Sequence, residues 1–292
     1  MQGRLRAFTA AAIAATLFGS FAASAAAQLK QDPIMHATQH VTSNLYFGLT
    51  AAQVDALDDN GEHMVDLEPD GTAANGDTLF TVATVFPAGS AWQDFMFDSN
   101  PLPVAGSATP SPSGSVRPFD WEFYPRNSTG DPTADKSYRP AYLGVANTGP
   151  FKRTWRIIRR RGAGSIKSWA IGNDMRIIDL DPYRGSGKRY DVVAIKNTGS
   201  IARKWWFYVN ATTSYINARL KEKNAAITDL EPLANGRYSV VMERSNLRPF
   251  YRVNRTPAQI AAFAQQQQDR VADIDPEPDA PGKYSAVFIP ND

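Results

Sequence analysis

Apolar residues along this chain fall into short runs with two different periods, separated by turn residues. Four runs are rich in β-branched and aromatic side chains: Phe80-Thr81-Val82-Ala83-Thr84-Val85, Tyr190-Asp191-Val192-Val193-Ala194-Ile195, Tyr238-Ser239-Val240-Val241-Met242 and Tyr284-Ser285-Ala286-Val287-Phe288-Ile289. Their length and composition predict strands. A turn precedes each one, at Asn75-Gly76-Asp77, Gly185-Ser186-Gly187, Asn235-Gly236 and Pro281-Gly282. Before each turn stands another short segment: Met64-Val65-Asp66-Leu67-Glu68-Pro69, Ile177-Ile178-Asp179-Leu180-Asp181-Pro182, Ile227-Thr228-Asp229-Leu230-Glu231-Pro232 and Val271-Ala272-Asp273-Ile274-Asp275-Pro276. Strand, turn, strand is a hairpin, and proline ends the first strand because it has no N–H for the ladder.

The acidic segment recurs a fifth time, without its proline, as Phe119-Asp120-Trp121-Glu122. Successive first acids lie 54, 59, 50 and 44 residues apart, a near-constant period that marks a repeat architecture. Asn147-Thr148-Gly149 and Trp155 recur 50 residues later as Asn197-Thr198-Gly199 and Trp205.

Aromatic strands follow the hairpins: Phe95-Met96-Phe97, Trp155-Arg156-Ile157-Ile158, Trp205-Trp206-Phe207-Tyr208 and Phe250-Tyr251-Arg252-Val253, with Leu45-Tyr46-Phe47 in the same role for the first copy. Each leads into helical spacing. Thr50 caps a helix carrying Val54 and Leu57, Thr213 one carrying Ile216 and Leu220, and Thr256-Pro257 are N-cap and first residue before Ile260 and Phe263.

The unit is therefore strand, helix, hairpin. Domain boundaries follow as a leader (1–27), an arm (28–44), repeat 1 (45–98), a Pro/Ser/Gly-rich insert (99–118), a degenerate repeat 2 (119–158), and repeats 3 (159–208), 4 (209–249) and 5 (250–292). The expected fold class is α+β: tandem repeats of about 45–55 residues forming a curved or partly closed antiparallel sheet, half-barrel-like, with helices on one face. A β-propeller-like arrangement is the alternative.

The order of aromatic strand, Thr-capped helix, Asp-Leu-Glu-Pro, glycine turn and Tyr-x-Val-Val resembles the bacterial tandem repeat family over about 45–97 and 137–292. Repeats of that family occur in secreted bacterial proteins and stand ahead of a serine β-lactamase-like catalytic domain in fungal polyglycine hydrolases. The resemblance implies the repeat scaffold without that chemistry.

The N-terminus adds a compartment. Arg4 and Arg6 precede a small and apolar stretch over 8–26, ending at Ala23-Ser24-Ala25-Ala26-Ala27, which has the form of a secretory signal cleaved before Gln28. A soluble periplasmic or extracellular location is expected, with no transmembrane segment in the mature chain. The whole chain carries 31 basic and 29 acidic side chains, and removal of the leader leaves the two signs equal. That balance argues against nucleic acid as a partner. There is no cysteine, which excludes disulfides, thiol nucleophiles and thiolate metal sites.

Candidate chemistry is sparse. Residues two apart on a strand share a face, so Asp66 and Glu68, Asp179 and Asp181, Asp229 and Glu231, and Asp273 and Asp275 form regular pairs. Five similar copies favour a structural role over catalysis. The expected place is the solvent side of the strand, with Arg189, Arg237 or Lys283 as cross-strand partners. A calcium role for these pairs is the lesser alternative. Asp55, Asp58, Asp59 and Glu62 lack calcium-loop spacing, and His36, His40 and His63 lack a zinc motif. No metal or cofactor is therefore expected. The basic run Lys152, Arg153, Arg156, Arg159, Arg160 and Arg161 is expected to cover a strand face.

No serine-hydrolase elbow is present. The aromatic residues Trp155, Trp205, Trp206, Phe207, Tyr208 and Tyr251 are the candidate ligand-binding set, able to stack on sugar rings or grip a peptide; packing between repeats is the competing role. The expected function is an exported, non-catalytic binding or scaffold module for a protein, peptide or cell-wall glycan. The alternatives are a hydrolase with a carboxylate pair in the repeat groove and an envelope assembly protein.

Overall fold

A computed structural model describes residues 15–16, 42–59, 62–86, 93–97, 116–125, 138–147, 152–183, 187–245 and 250–290. The leader lies outside these residues except for β1 (Ala15–Thr16), which pairs with Asn44 and Leu45. The insert lies outside them except for its last three residues.

Among the described residues, four helices and sixteen strands make five antiparallel sheets, none of which closes on itself. The first holds β1, β2 (Thr42–Leu49), β3 (His63–Thr72) and β4 (Thr78–Phe86), with α1 (Ala51–Asp59) between β2 and β3. The second holds β5 (Gln93–Phe97), β6 (Val116–Pro125) and β7 (Tyr138–Ala146). The third holds β8 (Trp155–Arg161), α2 (Ala163–Gly172), β9 (Met175–Pro182) and β10 (Tyr190–Lys196). The fourth holds β11 (Trp205–Ala211), α3 (Thr213–Lys223), β12 (Ala225–Leu233) and β13 (Arg237–Arg244). The fifth holds β14 (Phe250–Arg255), α4 (Pro257–Gln267), β15 (Asp269–Pro276) and β16 (Tyr284–Pro290).

Each sheet has the strand of the acidic segment on one edge and the last strand of the hairpin in the middle. The aromatic strand lies on the other side of that middle strand. The aromatic strand thus joins the acidic segment that follows it. Trp155–Arg161 belongs with the third sheet and Trp205–Ala211 with the fourth, which moves the expected boundaries at 158/159 and 208/209 to before those strands. Likewise β5 pairs with β7 and not with the first sheet.

The expected single curved sheet is not formed; the sheets are separate. The physical reason is the two-sided burial of the middle strands. Residues 190–195, 238–243 and 284–289 are buried at every position, so both faces of these strands need a covering layer. One layer is the sheet's own helix and the other is the neighbouring sheet. Ile166 of α2 packs with Ile177, Leu180 and Tyr190 of its own sheet and with the cluster that holds Phe207 and Val241 of the next. Ile216 of α3 shares a cluster with Val240 and with Val287 of the fifth sheet. Ile260 of α4 shares one with Phe288 and with Leu45 and Ala83 of the first sheet. The remaining junctions are bridged the same way, by Phe80 with Leu143 and by Trp121 with Trp155.

Local geometry repeats from sheet to sheet. Gly48, Arg160, Asn210 and Asn254 all have positive φ, two residues before the N-caps of α1 to α4. The aromatic strand slips register there in each case. On the acidic strands a bulge falls just before the first acid, at Val65, Phe119, Ile178, Thr228 and Ala272. Thr256 caps α4 in a capping box with Gln259, and Pro257 takes the first helical position. In α3 the cap is Thr212, one residue before the expected Thr213, accepting from Tyr215 N–H at 3.2 Å. Asn147 and Asn197 explain the 50-residue match. Their side-chain amides accept from the N–H and donate to the C=O of Arg153 and Arg203, at 2.7–3.1 Å, clamping the loop to the next sheet.

Candidate functional site

The acidic strands meet one another. β3 touches β6, β6 touches β9, β9 touches β12, β12 touches β15, and β15 returns to β3. The five acid pairs are thereby gathered in the interior. The expected solvent-facing side with Arg189, Arg237 and Lys283 as partners is overturned. Register is the reason: Glu68 lies opposite Thr81, Asp181 opposite Asp191, Glu231 opposite Ser239 and Asp275 opposite Ser285, while Arg237 lies opposite Leu233. Arg189 and Arg237 are exposed. All ten carboxyl side chains, Asp66, Glu68, Asp120, Glu122, Asp179, Asp181, Asp229, Glu231, Asp273 and Asp275, belong to residues only 2–8 % exposed.

The first acid of four of the five pairs has a specific neighbour. Asp120 accepts from Leu67 N–H at 2.9 Å, Asp273 from Leu230 N–H at 3.1 Å and Asp66 from Ile274 N–H at 2.8 Å. Asp229 accepts from Leu180 N–H. In every case the donor is the residue between the two acids of the neighbouring strand. These N–H groups sit on an edge strand and have no ladder partner on that side, so the carboxylates take the place of a further strand.

Burial dominates the electrostatics. It lifts Asp66 to about 7, against the hydrogen bond from Ile274. Glu68, Asp120, Glu122, Asp179, Asp229, Glu231, Asp273 and Asp275 are pushed well above the ordinary carboxylate range, by desolvation first. Repulsion by other carboxyls of the cluster adds to it; Glu68, for example, is raised by Glu122, Asp275 and Glu231. Two unit charges ~5 Å apart repel by ~3 kcal/mol even at an effective dielectric constant of ~20. Repulsion on this scale, added to desolvation, opposes ionisation of all these groups together. Buried arginines stand three residues before the first acid, at Arg117, Arg176 and Arg270. Arg176 is engaged by Glu243 at 3.0 Å, and burial lowers Arg270 to about 10.

A second polar set, missed in the sequence, joins sheets farther out. Asp70 follows the proline of the first acidic strand and accepts from Thr81 Oγ at 2.7 Å and from Tyr284 Oη of the fifth sheet at 2.5 Å. Glu277 holds the corresponding place in the fifth, accepting from Ser285 Oγ at 2.6 Å and from Tyr238 Oη of the fourth at 3.3 Å. Between the third and fourth sheets Ser239 Oγ donates to Tyr190 Oη at 3.0 Å. The signal was an acid directly after the proline, at Asp70 and Glu277 only.

The candidate aromatic residues have structural partners. Alternation along β11 sends Phe207 into the core shared by the third and fourth sheets, with Trp205 against it, and packs Trp206 and Tyr208 with Tyr251 against the cluster around Ile216. Both faces of this strand therefore pack against core clusters. Trp155 is buried beside Trp121. Tyr208 meets Tyr215 edge-on at 5.5 Å, and Lys223 Nζ stands 6.0 Å from the Trp206 ring, so the α3 side of β11 carries a partly exposed aromatic and basic patch.

In the basic run, Arg159 is buried and lies 3.9 Å from Asp191, which also accepts from Arg160 N–H at 2.7 Å. Glu62 accepts from Tyr46 Oη at 2.6 Å and from Asn44 and Thr84, which makes it a tie between strands. His36 and His40 lie outside the described residues.

No protein-family model matches the chain, and comparison with curated proteins finds no match.

Proposed function

We propose that this chain is a non-catalytic repeat module in which five units, four of them with a helix among the described residues, close into a propeller-like ring, with the acidic strands around the axis and the helices wedged between units. The observation that carries the ring is the junction of first and last units. Ile274 N–H donates to Asp66, Tyr284 Oη donates to Asp70, and Phe47 meets the Tyr284 ring at 4.9 Å. The same kinds of contact join neighbouring units elsewhere, so the ends of the repeat array meet as ordinary neighbours do. A ring needs no capping repeats, because no unit is left with an uncovered face.

The propeller-like alternative is favoured over the half-barrel because the middle strands are covered on both sides. Three strands per unit suffice, since a helix fills the wedge that a fourth strand would occupy. The short motifs that resemble the bacterial tandem repeat family are the residues of caps, turns, bulges and acidic edges, in keeping with a shared scaffold.

Action outside the cytoplasm, on a protein, peptide or cell-wall glycan, is the function this scaffold supports best. The acid pairs are buried in the axis, where a polymeric substrate has no access, so a carboxylate-pair hydrolase gains no support. The α3 side of β11, with Trp206, Tyr208 and Tyr215 beside Arg219 and Lys223, offers ring faces and cations suited to sugar or peptide contact. The test is capture of the full chain on purified peptidoglycan and from envelope extract, beside a Trp206→Ala, Tyr208→Ala variant of unchanged fold. Capture lost in the variant is the expected result. Equal capture of both proteins removes this patch as the binding surface.

A further inference from the structure

The axial cluster has a property that hydrogen bonding between units does not explain. Oδ2 of Asp179, Asp229 and Asp275 is buried without a hydrogen-bond partner, on residues 8, 3 and 2 % exposed. Asp229 and Asp275 each share a hydrogen bond with Glu231, and Asp229 also accepts from Leu180 N–H, yet Oδ2 of each is left over; Asp179 belongs in addition to one of the oxygen sets below. A desolvated oxygen facing other oxygens calls for a positive charge.

The spacing of the oxygens identifies which kind. Three sets bring one carboxyl oxygen from each member within 4.8 Å of the others: Asp66, Glu68 and Asp120; Glu68, Glu122 and Glu231; Asp120, Glu122 and Asp179. Calcium binds oxygen at 2.3–2.6 Å, so oxygens on opposite sides of the ion stand ~5 Å apart and those on the same side closer. Magnesium holds its oxygens at 2.0–2.1 Å in a strict octahedron and keeps several waters, so it is usually held by one or two carboxylates where each of these sets offers three. Softer metals prefer nitrogen or sulfur, and the sets hold neither. Glu68, Asp120 and Glu122 each belong to two sets.

We propose that the axial carboxylates bind a hard divalent cation of calcium's size, with Glu68, Asp120 and Glu122 as the shared ligands that join adjacent positions. The ion enters in exchange for protons: two neutral carboxyls and one calcium ion give two carboxylates bound to calcium and two protons released to solvent. The repeat of the acidic segment is then a way to bring five like-charged pairs to one axis and to neutralise them there. This goes beyond the ring and its partner, and neither depends on it.

The experiment is calorimetric titration of the chelator-treated full chain with calcium at pH 7.5, in two buffers of different protonation enthalpy, together with its melting temperature. The expected result is saturable uptake of at least one calcium per chain with proton release. The melting temperature should rise with calcium and rise less with equal magnesium. A Glu68→Gln, Glu122→Gln variant keeps the size and polarity of both side chains but replaces two carboxyls that can ionise onto calcium with amides that cannot. Its uptake should fall by at least tenfold while its circular dichroism is unchanged.

No uptake by the folded wild type up to ~10 mM calcium, above the range of the weakest extracellular calcium modules, overturns the proposal. Undiminished uptake by the folded variant also overturns it. If the variant fails to fold, the wild-type titration decides alone: saturable uptake with a raised melting temperature supports the proposal, and calcium that leaves the melting temperature unchanged overturns it.

Discussion

The backbone N–H of Ile274 donates to the carboxylate of Asp66 at 2.8 Å, across 208 residues of sequence. The equivalent bond joins Leu230 to Asp273 at 3.1 Å across 43 residues. One interaction thus serves both between consecutive units and between the first and the last. The residues around it differ little: Asp273 belongs to a unit next in sequence, Asp66 to a unit next only in space.

Hydroxyl contacts between units give the first prediction. Tyr284→Phe removes the donor to Asp70 but keeps the ring that meets Phe47. The expected loss is ~1 kcal/mol in urea unfolding, as for a typical hydrogen bond. Tyr190→Phe, whose hydroxyl accepts from Ser239 and also donates to Gly187 C=O at 2.8 Å, should cost at least as much. Substitution at Tyr284 with no effect, against a clear loss at Tyr190, would mean that the first and last units are not joined as consecutive ones are.

The pH dependence follows from the axial carboxyls. Burial raises Asp66 to about 7 in the folded chain, above the ordinary value near 4, so the folded state binds this proton more tightly than the unfolded state. The stabilisation is complete below pH ~4 and is lost as pH rises through ~7, on the order of 1.4 kcal/mol per pH unit for each such group. Asp191, lifted to about 6 by burial, acts in the same direction. With a chelator present, the urea midpoint should be higher at pH 5 than at pH 8; a flat or rising profile contradicts the raised values.

Helix caps allow a paired test. Thr256→Ala removes the half of the capping box in which Thr256 Oγ1 accepts from Gln259 N–H, leaving the bond from its own N–H to Gln259 Oε1, and should destabilise by ~1 kcal/mol. Gly162 caps α2 in extended conformation without a side-chain bond, and a Cβ there meets Lys188 O at an ordinary 3.7 Å. Gly162→Ser should therefore stabilise by a few tenths of a kcal/mol. The two shifts, opposite in sign, are read from thermal midpoints.

Core packing provides the largest effect. Ile216 of α3 is fully buried between Ile227 and Leu230 of its own sheet and the cluster reaching Val287 of the next. Ile216→Ala should cost ~2–5 kcal/mol. Tyr208→Ala, on a half-buried side chain, should cost less, as measured by the same unfolding series.

The local elements were legible because they depend on neighbouring residues. Thr256-Pro257-x-Gln259 specifies a cap by itself, and Asn235-Gly236 supplies two left-handed positions for a hairpin turn. The sheets' separateness was visible in principle in Val192-Val193-Ala194-Ile195, which has no polar alternation and so has no exposed face. Placing Asp66 and Glu68 in solvent followed from their chemistry alone; the correct place depends on closure with Ile274, which no local pattern encodes. The one-residue bulge before each first acid also changes which face the acids occupy, and nothing in Val65 or Thr228 announces it.

The closed ring is tested most directly by amide hydrogen exchange at β3 and β15 in the wild type and in Asp66→Ala. The substitution removes the acceptor of Ile274 N–H while leaving the β15 sequence intact. The account predicts faster exchange at Ile274, 208 residues away, as well as around position 66, with Leu230 and its acceptor Asp273 unaffected. Unchanged protection of Ile274, with exchange raised only around position 66, would contradict it.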